Sequence, residues 1–198
     1  MGQIYKKIPE YLDKICSNNK IVGAIIEIGS SRPGDDNSSP YLNNLAKELN
    51  TTFITCDIDQ RWVDTLTKNN INATCDKGED FLKSYYLPVS IAYLDNFDWD
   101  WHPANQESWL LDQIEHYKSQ FDIEMNNVAS QSAHLLQSIR LEQLTMENSL
   151  IVFDDTWYNQ YWGHYTGKGG AAIPYLVAKG YSVLYTEEYG TILGRFTK

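Results

Sequence analysis

Five short strand-like runs, at residues 21–28, 52–56, 72–75, 89–94 and 149–153, alternate with stretches of helical period, and this alternation most constrains the fold. Ile21-Val22-Gly23-Ala24-Ile25-Ile26-Glu27-Ile28 is the clearest run: short, rich in β-branched residues and almost wholly apolar. A strand with no polar face belongs inside a parallel sheet covered on both sides. Between the runs, Ile4, Ile8, Leu12 and Ile15 recur at helical spacing and predict a helix over 3–17. Ser39-Pro40 reads as an N-cap followed by Pro at the first helical position, opening a helix over 41–49. Further helices are predicted over 60–68, 78–85 and 171–179, the last closed by Gly180. Residues 181–186 and 191–196 predict an antiparallel hairpin. The expected class is α/β: a mostly parallel sheet, helices on both faces, and a C-terminal antiparallel strand.

At 198 residues the chain suits one domain spanning 1–198. Residues 103–146 are polar, helical in period and longer than such a fold needs, with a break near Met125-Asn126-Asn127. They are expected to form a helical insertion that covers the active site or makes a homodimer contact. A net charge of −10 argues against a nucleic-acid surface, which concentrates Lys and Arg. No apolar run approaches the roughly 20 residues that span a bilayer, so no membrane partner is expected. The N-terminus lacks the apolar core of a signal peptide, and Lys6 stands where a myristoylation signal has Ser or Thr. A cytoplasmic location is the simplest expectation. Cys16, Cys56 and Cys75 form no zinc spacing and read as buried thiols.

In open α/β sheets, ligands sit at the carboxyl ends of the strands, near the switch in strand order. Four strand ends here are polar: Glu27-Ile28-Gly29, Asp57, Asp95 and Asp154-Asp155. Gly29 permits a tight backbone turn beneath a ligand, with Ser30 next in the loop. Asp57, at the end of the second strand, is placed to accept hydrogen bonds from ribose hydroxyls. An alternative reading of these residues is as simple strand and helix caps. With Glu27-Ile28-Gly29 and Asp57 in place, the chain resembles the class I S-adenosylmethionine-dependent methyltransferases, whose sheet is Rossmann-like. The resemblance covers most of residues 21–196. It implies S-adenosylmethionine as cofactor, bound through Glu27, Gly29, Ser30, Asp57 and Asp95, with Asp76 beside the adenine. The usual second and third glycines after Gly29 are missing, and the loop is longer, with Arg32-Pro33-Gly34-Asp35-Asp36.

Asp95, Asp154 and Asp155 converge if the fourth and fifth strands are neighbours. Three such carboxylates repel and need protons or a cation. A hard divalent ion such as Mg2+ prefers oxygen ligands, and it lowers the pKa of an attacking hydroxyl. The arrangement resembles the metal-dependent O-methyltransferases, of both the catechol and the sugar- or antibiotic-modifying types. That resemblance implies Asp95, Asp154 and Asp155 as metal ligands, with Asp95 and Asp154 also catalytic. Without a metal, the same carboxylates serve in hydrogen bonding. Asp98, Asp100 and His102 are candidate bases, His102 being favoured by an ordinary pKa near neutrality. The aromatic stretch 157–165 reads as a loop walling a sugar or aryl acceptor, a small hydroxylated molecule. Gly167-Lys168-Gly169-Gly170 fails the P-loop spacing, although Lys168 or His164 is positioned to hold an anionic acceptor group. Two rival readings remain: a non-catalytic S-adenosylmethionine-binding protein, and a Rossmann enzyme acting on a nucleotide sugar with NAD.

Overall fold

A strand in the middle of a parallel sheet is covered on both faces, so its side chains must be apolar in both directions. The computed structural model describes residues 3–16, 21–32, 37–187 and 189–196. Among them, β1 (Ala24–Ile28), β2 (Phe53–Asp57), β3 (Ala73–Cys75), β4 (Val89–Leu94) and β5 (Thr145–Asp154) run parallel. A short hairpin of β6 (Thr156–Asn159) and β7 (His164–Gly167) follows. Then β8 (Tyr181–Glu187) and β9 (Gly190–Arg195) complete a seven-stranded sheet, ordered β3-β2-β1-β4-β5-β9-β8. β9 is antiparallel to both neighbours, as the C-terminal hairpin predicts. The order reverses between β1 and β4, which places the switch point at the ends of those two strands.

All five residues of β1 are buried. Ile25 packs with Ile91, Tyr93, Leu150 and Val152 on one face of the sheet. That face is covered by a 3-10 turn at Ile4–Lys7 with α1 (Ile8–Ile15), by α2 (Ser38–Glu48), and by Leu66 from α3 (Gln60–Lys68). Ile26 and Ile28 pack on the other face with Ala92, Leu94, Ile151 and Phe153. There the cover is α4 (Gly78–Ser84), α6 (Asn127–Leu144) and α7 (Ala172–Ala178). α5 (Ser108–Phe121) stands apart, with Leu110 its one buried residue. The predicted two-layer cover is present, and the break in 103–146 falls where expected. Asp122 closes α5 at φ +52°, and the Asn126 side chain accepts from the Ala129 N–H to open α6.

Four local expectations are corrected. Helix α2 begins at Ser38, not after Ser39, because both serine hydroxyls are drawn to Glu27 and are not spent on capping. β5 starts at Thr145, ahead of the apolar run at 149. It passes through exposed Met146 and Glu147 and a left-handed Asn148, a stretch with no strand-like alternation. The aromatic stretch after Asp155 is a hairpin and not a loop, turned at Gly163 (φ +67°). Cys16 and Cys56 are buried as expected, whereas Cys75 is exposed at the end of the edge strand β3. No helix among the described residues is long and apolar enough to cross a membrane.

Ile25 and Ile26 face opposite layers and are both fully buried. Ile25→Ala and Ile26→Ala should therefore each lower unfolding free energy by about 2–5 kcal/mol in urea denaturation. A near-zero cost for either would contradict two-sided burial of β1.

Candidate functional site

The turn after β1 approaches the end of β4 closely. Gly29 takes φ +88°, and a Cβ there would lie 2.4 Å from the Asn96 backbone nitrogen. Only glycine fits, on both conformational and steric grounds. The next residue, Ser30, donates from its N–H (3.0 Å) and its hydroxyl (2.7 Å) to Oδ2 of Asp57. The Asp59 N–H donates to Oδ1 of Asp57 at 2.8 Å. Burial raises the Asp57 pKa against these three hydrogen bonds, which favour the ionised form.

These residues floor a cavity of about 450 Å3 at the switch point. Gly29, Ser30, Asp57, Asp76 and Asp95 all line it, so five of the six expected cofactor residues converge. Asn96, Phe97 and Asp98 form one side. Tyr117 from α5, and Ala129, Ala133 and Leu136 from α6, supply a largely apolar roof with Ile123 and Met125 between them. Part of the segment 103–146 thus walls the cavity. Arg32, from the loop after β1, donates to the Tyr117 hydroxyl at 3.3 Å and joins floor to roof. Neither Arg32 nor Tyr117 carried a strand-end signal, and only the folded chain brings them here.

Glu27, the sixth expected cofactor residue, does not line the cavity. It has no exposed surface, and the hydroxyls of Ser38 (2.6 Å) and Ser39 (2.5 Å) donate to its two carboxylate oxygens. Burial pushes its pKa up to about 7 despite these bonds. Its place in the fold is to pin α2 to the end of β1.

Asp95, Asp154 and Asp155 do come together, offering oxygens within 4.8 Å of one another. A cation already stands among them. Lys168, 2% exposed, places Nζ 2.6 Å from Oδ1 of Asp95 and 3.1 Å from Oδ2 of Asp155. Burial works against the ammonium, but Asp155, Asp95 and Asp154 together outweigh it and hold the Lys168 pKa well above its ordinary value. Burial likewise raises Asp95 to about 6, with Lys168 opposing, and raises Asp154 well above the usual carboxylate range. As folded, this donor set does not fit a divalent ion, because a buried lysine ammonium is already paired with two of its three carboxylates, Asp95 and Asp155. Lys168 is equally unavailable to an anionic acceptor group, contrary to expectation.

His102 is exposed and lies outside the cavity lining, so the expectation that it is the base is not supported by its position. Asp100 is buried in structural bonds from the His102 N–H (3.0 Å) and the Gln106 amide (2.5 Å). Asp98 is the member of that group that lines the cavity. His164 is exposed and stacks on Trp162 at the tip of the hairpin. Nearer the sheet, Trp157 of β6 stacks on Trp101 with centroids 4.8 Å apart and meets Trp99 edge-on.

A candidate rRNA methylase of Clostridium thermocellum is similar over 99% of each chain, with a TM-score of 0.55 at 12% identity. A candidate methyltransferase of Streptococcus mutans, solved in complex with SAH, is similar over 98% of each chain (TM-score 0.54, 10% identity). An S-adenosylmethionine-dependent methyltransferase of Clostridium acetobutylicum is similar over 98% of this chain and 91% of its own (TM-score 0.53, 9% identity). The chain shares the fold of these solved methyltransferases, a mostly parallel Rossmann-like sheet that ends in an antiparallel strand pair. No family profile and no curated protein sequence matches the chain.

Because the Glu27 carboxyl binds its proton more tightly folded than unfolded, it favours folding at low pH and loses that contribution as pH rises through about 7. Between pH 4.5 and about 7, wild type should lose roughly 3 kcal/mol of stability relative to Glu27→Gln. Parallel pH profiles of the two in urea denaturation would refute this.

Proposed function

We propose that this chain is an S-adenosylmethionine-dependent methyltransferase acting on a hydroxyl oxygen of a small acceptor. The observation that carries the reading is the cavity at the β1–β4 switch point, where Gly29, Asp57, Asp76 and Asp95 meet under an apolar roof. Its volume of about 450 Å3 suits a nucleoside-sized ligand. Asp57 has one hydrogen bond on Oδ1 and faces the cavity, which fits a carboxylate receiving ribose hydroxyls. Asp76 and the side chains of α6 border the adenine, and Asp95 lies toward the methionine end. Glu27 acts through α2 and the loop, as a positioning residue.

The acceptor binds beyond Asp95, on the side of the cavity formed by Asn96, Phe97 and Asp98, where the Phe97 ring is the aromatic face for a sugar or aryl ring. Transfer is an in-line displacement. A bond forms from acceptor oxygen to methyl carbon as the carbon–sulfur bond breaks, and the sulfonium becomes a neutral thioether. The proton leaves to a carboxylate, for which Asp98 is chosen because, of Asp98, Asp100 and His102, it is the one that lines the cavity. The protein's main contribution is to hold oxygen and methyl in line at near-attack distance. The net charge of −10 and a negatively lined pocket favour a small acceptor over a nucleic acid.

Calorimetric titration with SAH tests the reading. Wild type should bind one equivalent, and Asp57→Ala should weaken binding by about 10–100-fold, the loss of hydrogen bonds to a charged group. Absence of SAH binding, or preferential binding of NAD, would overturn it.

A further inference from the structure

The Lys168 ammonium is held in place by its own backbone as much as by its ion pairs. Gly167 takes φ +91°, and a Cβ there would lie 1.9 Å from the Asp155 carbonyl oxygen. That contact lets the Lys168 N–H donate to the same carbonyl at 3.1 Å. One residue on, the Gly169 N–H donates to the Thr156 hydroxyl at 2.8 Å, and that hydroxyl donates to the Asp154 carbonyl. Asp155 itself sits at φ +42°, a conformation that non-glycine residues seldom take. Thus Asp155 grips Lys168 twice, by its carbonyl at the backbone and by its carboxylate at Nζ.

We propose that Lys168 is the resident cation of the Asp95–Asp154–Asp155 cluster, so that this site works with a lysine ammonium in place of a divalent metal. Three carboxylates so close need a positive charge, and the chain supplies it from a side chain that is already buried. The Nζ–oxygen distances of 2.6 and 3.1 Å are those of charge-assisted hydrogen bonds. A metal would have to eject a charged side chain whose backbone is tied at Gly167, Asp155 and Thr156. Lys168 does not line the cavity, whereas Asp95 does, so Lys168 is a positioning residue: it fixes the Asp95 carboxylate at the cavity wall. The bearing of this on catalysis rests on the methyl-transfer reading, but the occupancy of the cluster does not.

Mn2+, which reports its binding by loss of the free-ion electron paramagnetic resonance signal, tests the proposal on the full chain after EDTA treatment. Wild type should leave the signal of millimolar Mn2+ unchanged and gain no melting temperature from it. Lys168→Ala should expose an all-oxygen site, bind Mn2+ at least about tenfold more tightly, and melt higher in its presence. Asp154→Asn in the same background should abolish both gains. Mn2+ binding by wild type that Asp154→Asn removes would overturn the proposal. A folded Lys168→Ala chain that fails to bind Mn2+ would also overturn it. If Lys168→Ala does not fold, the wild-type titration decides alone. SAH calorimetry on wild type is read separately: failure there sinks the methyl-transfer reading and leaves the identity of the cation untouched.

Discussion

A carboxyl group with no exposed surface, in an interior strand of the sheet, is the constraint on which the ligand end of this molecule depends. Glu27 lies in register with Thr55 of β2 and Tyr93 of β4, where an unpartnered carboxyl would cost several kcal/mol. Two serine hydroxyls from the first turn of α2 meet it, and this locks the start of α2 above the end of β1. The same Ser39 hydroxyl accepts from the Ser31 N–H at 2.9 Å, so the start of the intervening loop is tied as well. With Ser31 tied to Ser39, Gly29 turns against Asn96, and Ser30 presents both its donors to Asp57. The cavity floor follows from one buried acid and its partners.

The far side of the switch point meets the same difficulty by another route. There the acids are three, Asp154 buried and Asp95 and Asp155 half-buried, hydroxyl donors would not offset their mutual repulsion, and a full positive charge is brought in from the segment after β7. At Glu27 neutral donors and a raised pKa suffice, whereas at Asp95 an ammonium is required. The two ends of the cavity are accordingly built for different tasks. One end is a rigid polar floor, and the other is a charged wall whose shape depends on a single lysine.

Much of this was legible in the sequence because it is written in period and strand ends. The apolar run before Gly29 and the acids at 57, 95, 154 and 155 located the sheet, its switch point and five cavity residues. What stayed hidden depends on partners distant in sequence. Nothing local marks Lys168 as buried, since a lysine between glycines reads as an exposed anion binder. Its burial follows from Asp95, 73 positions away. Glu27 fits a ligand-contacting motif equally well whether it faces a cavity or α2; only the serines at 38 and 39 decide. His102 was favoured for its intrinsic pKa, a property of the isolated side chain that says nothing of where the side chain lies. The hairpin of β6 and β7 escaped notice because both its strands are short and its aromatics fall on each face, so no clean alternation appears.

Helix α5 has a consequence for how the molecule breathes. Fourteen residues long, it buries only Leu110, yet it carries Tyr117 over the cavity and meets Arg32 there. A segment with so little apolar burial opens at a small fraction of the global unfolding free energy. The floor of the cavity is therefore as durable as the core, and so is the part of its roof that α6 supplies, while the part that Tyr117 supplies rests on a helix with little burial. Amide protons in α5 would exchange with solvent long before those of β1 or β4. A ligand lying beneath Tyr117 would find its way in and out through local melting of one helix, at no expense to the sheet.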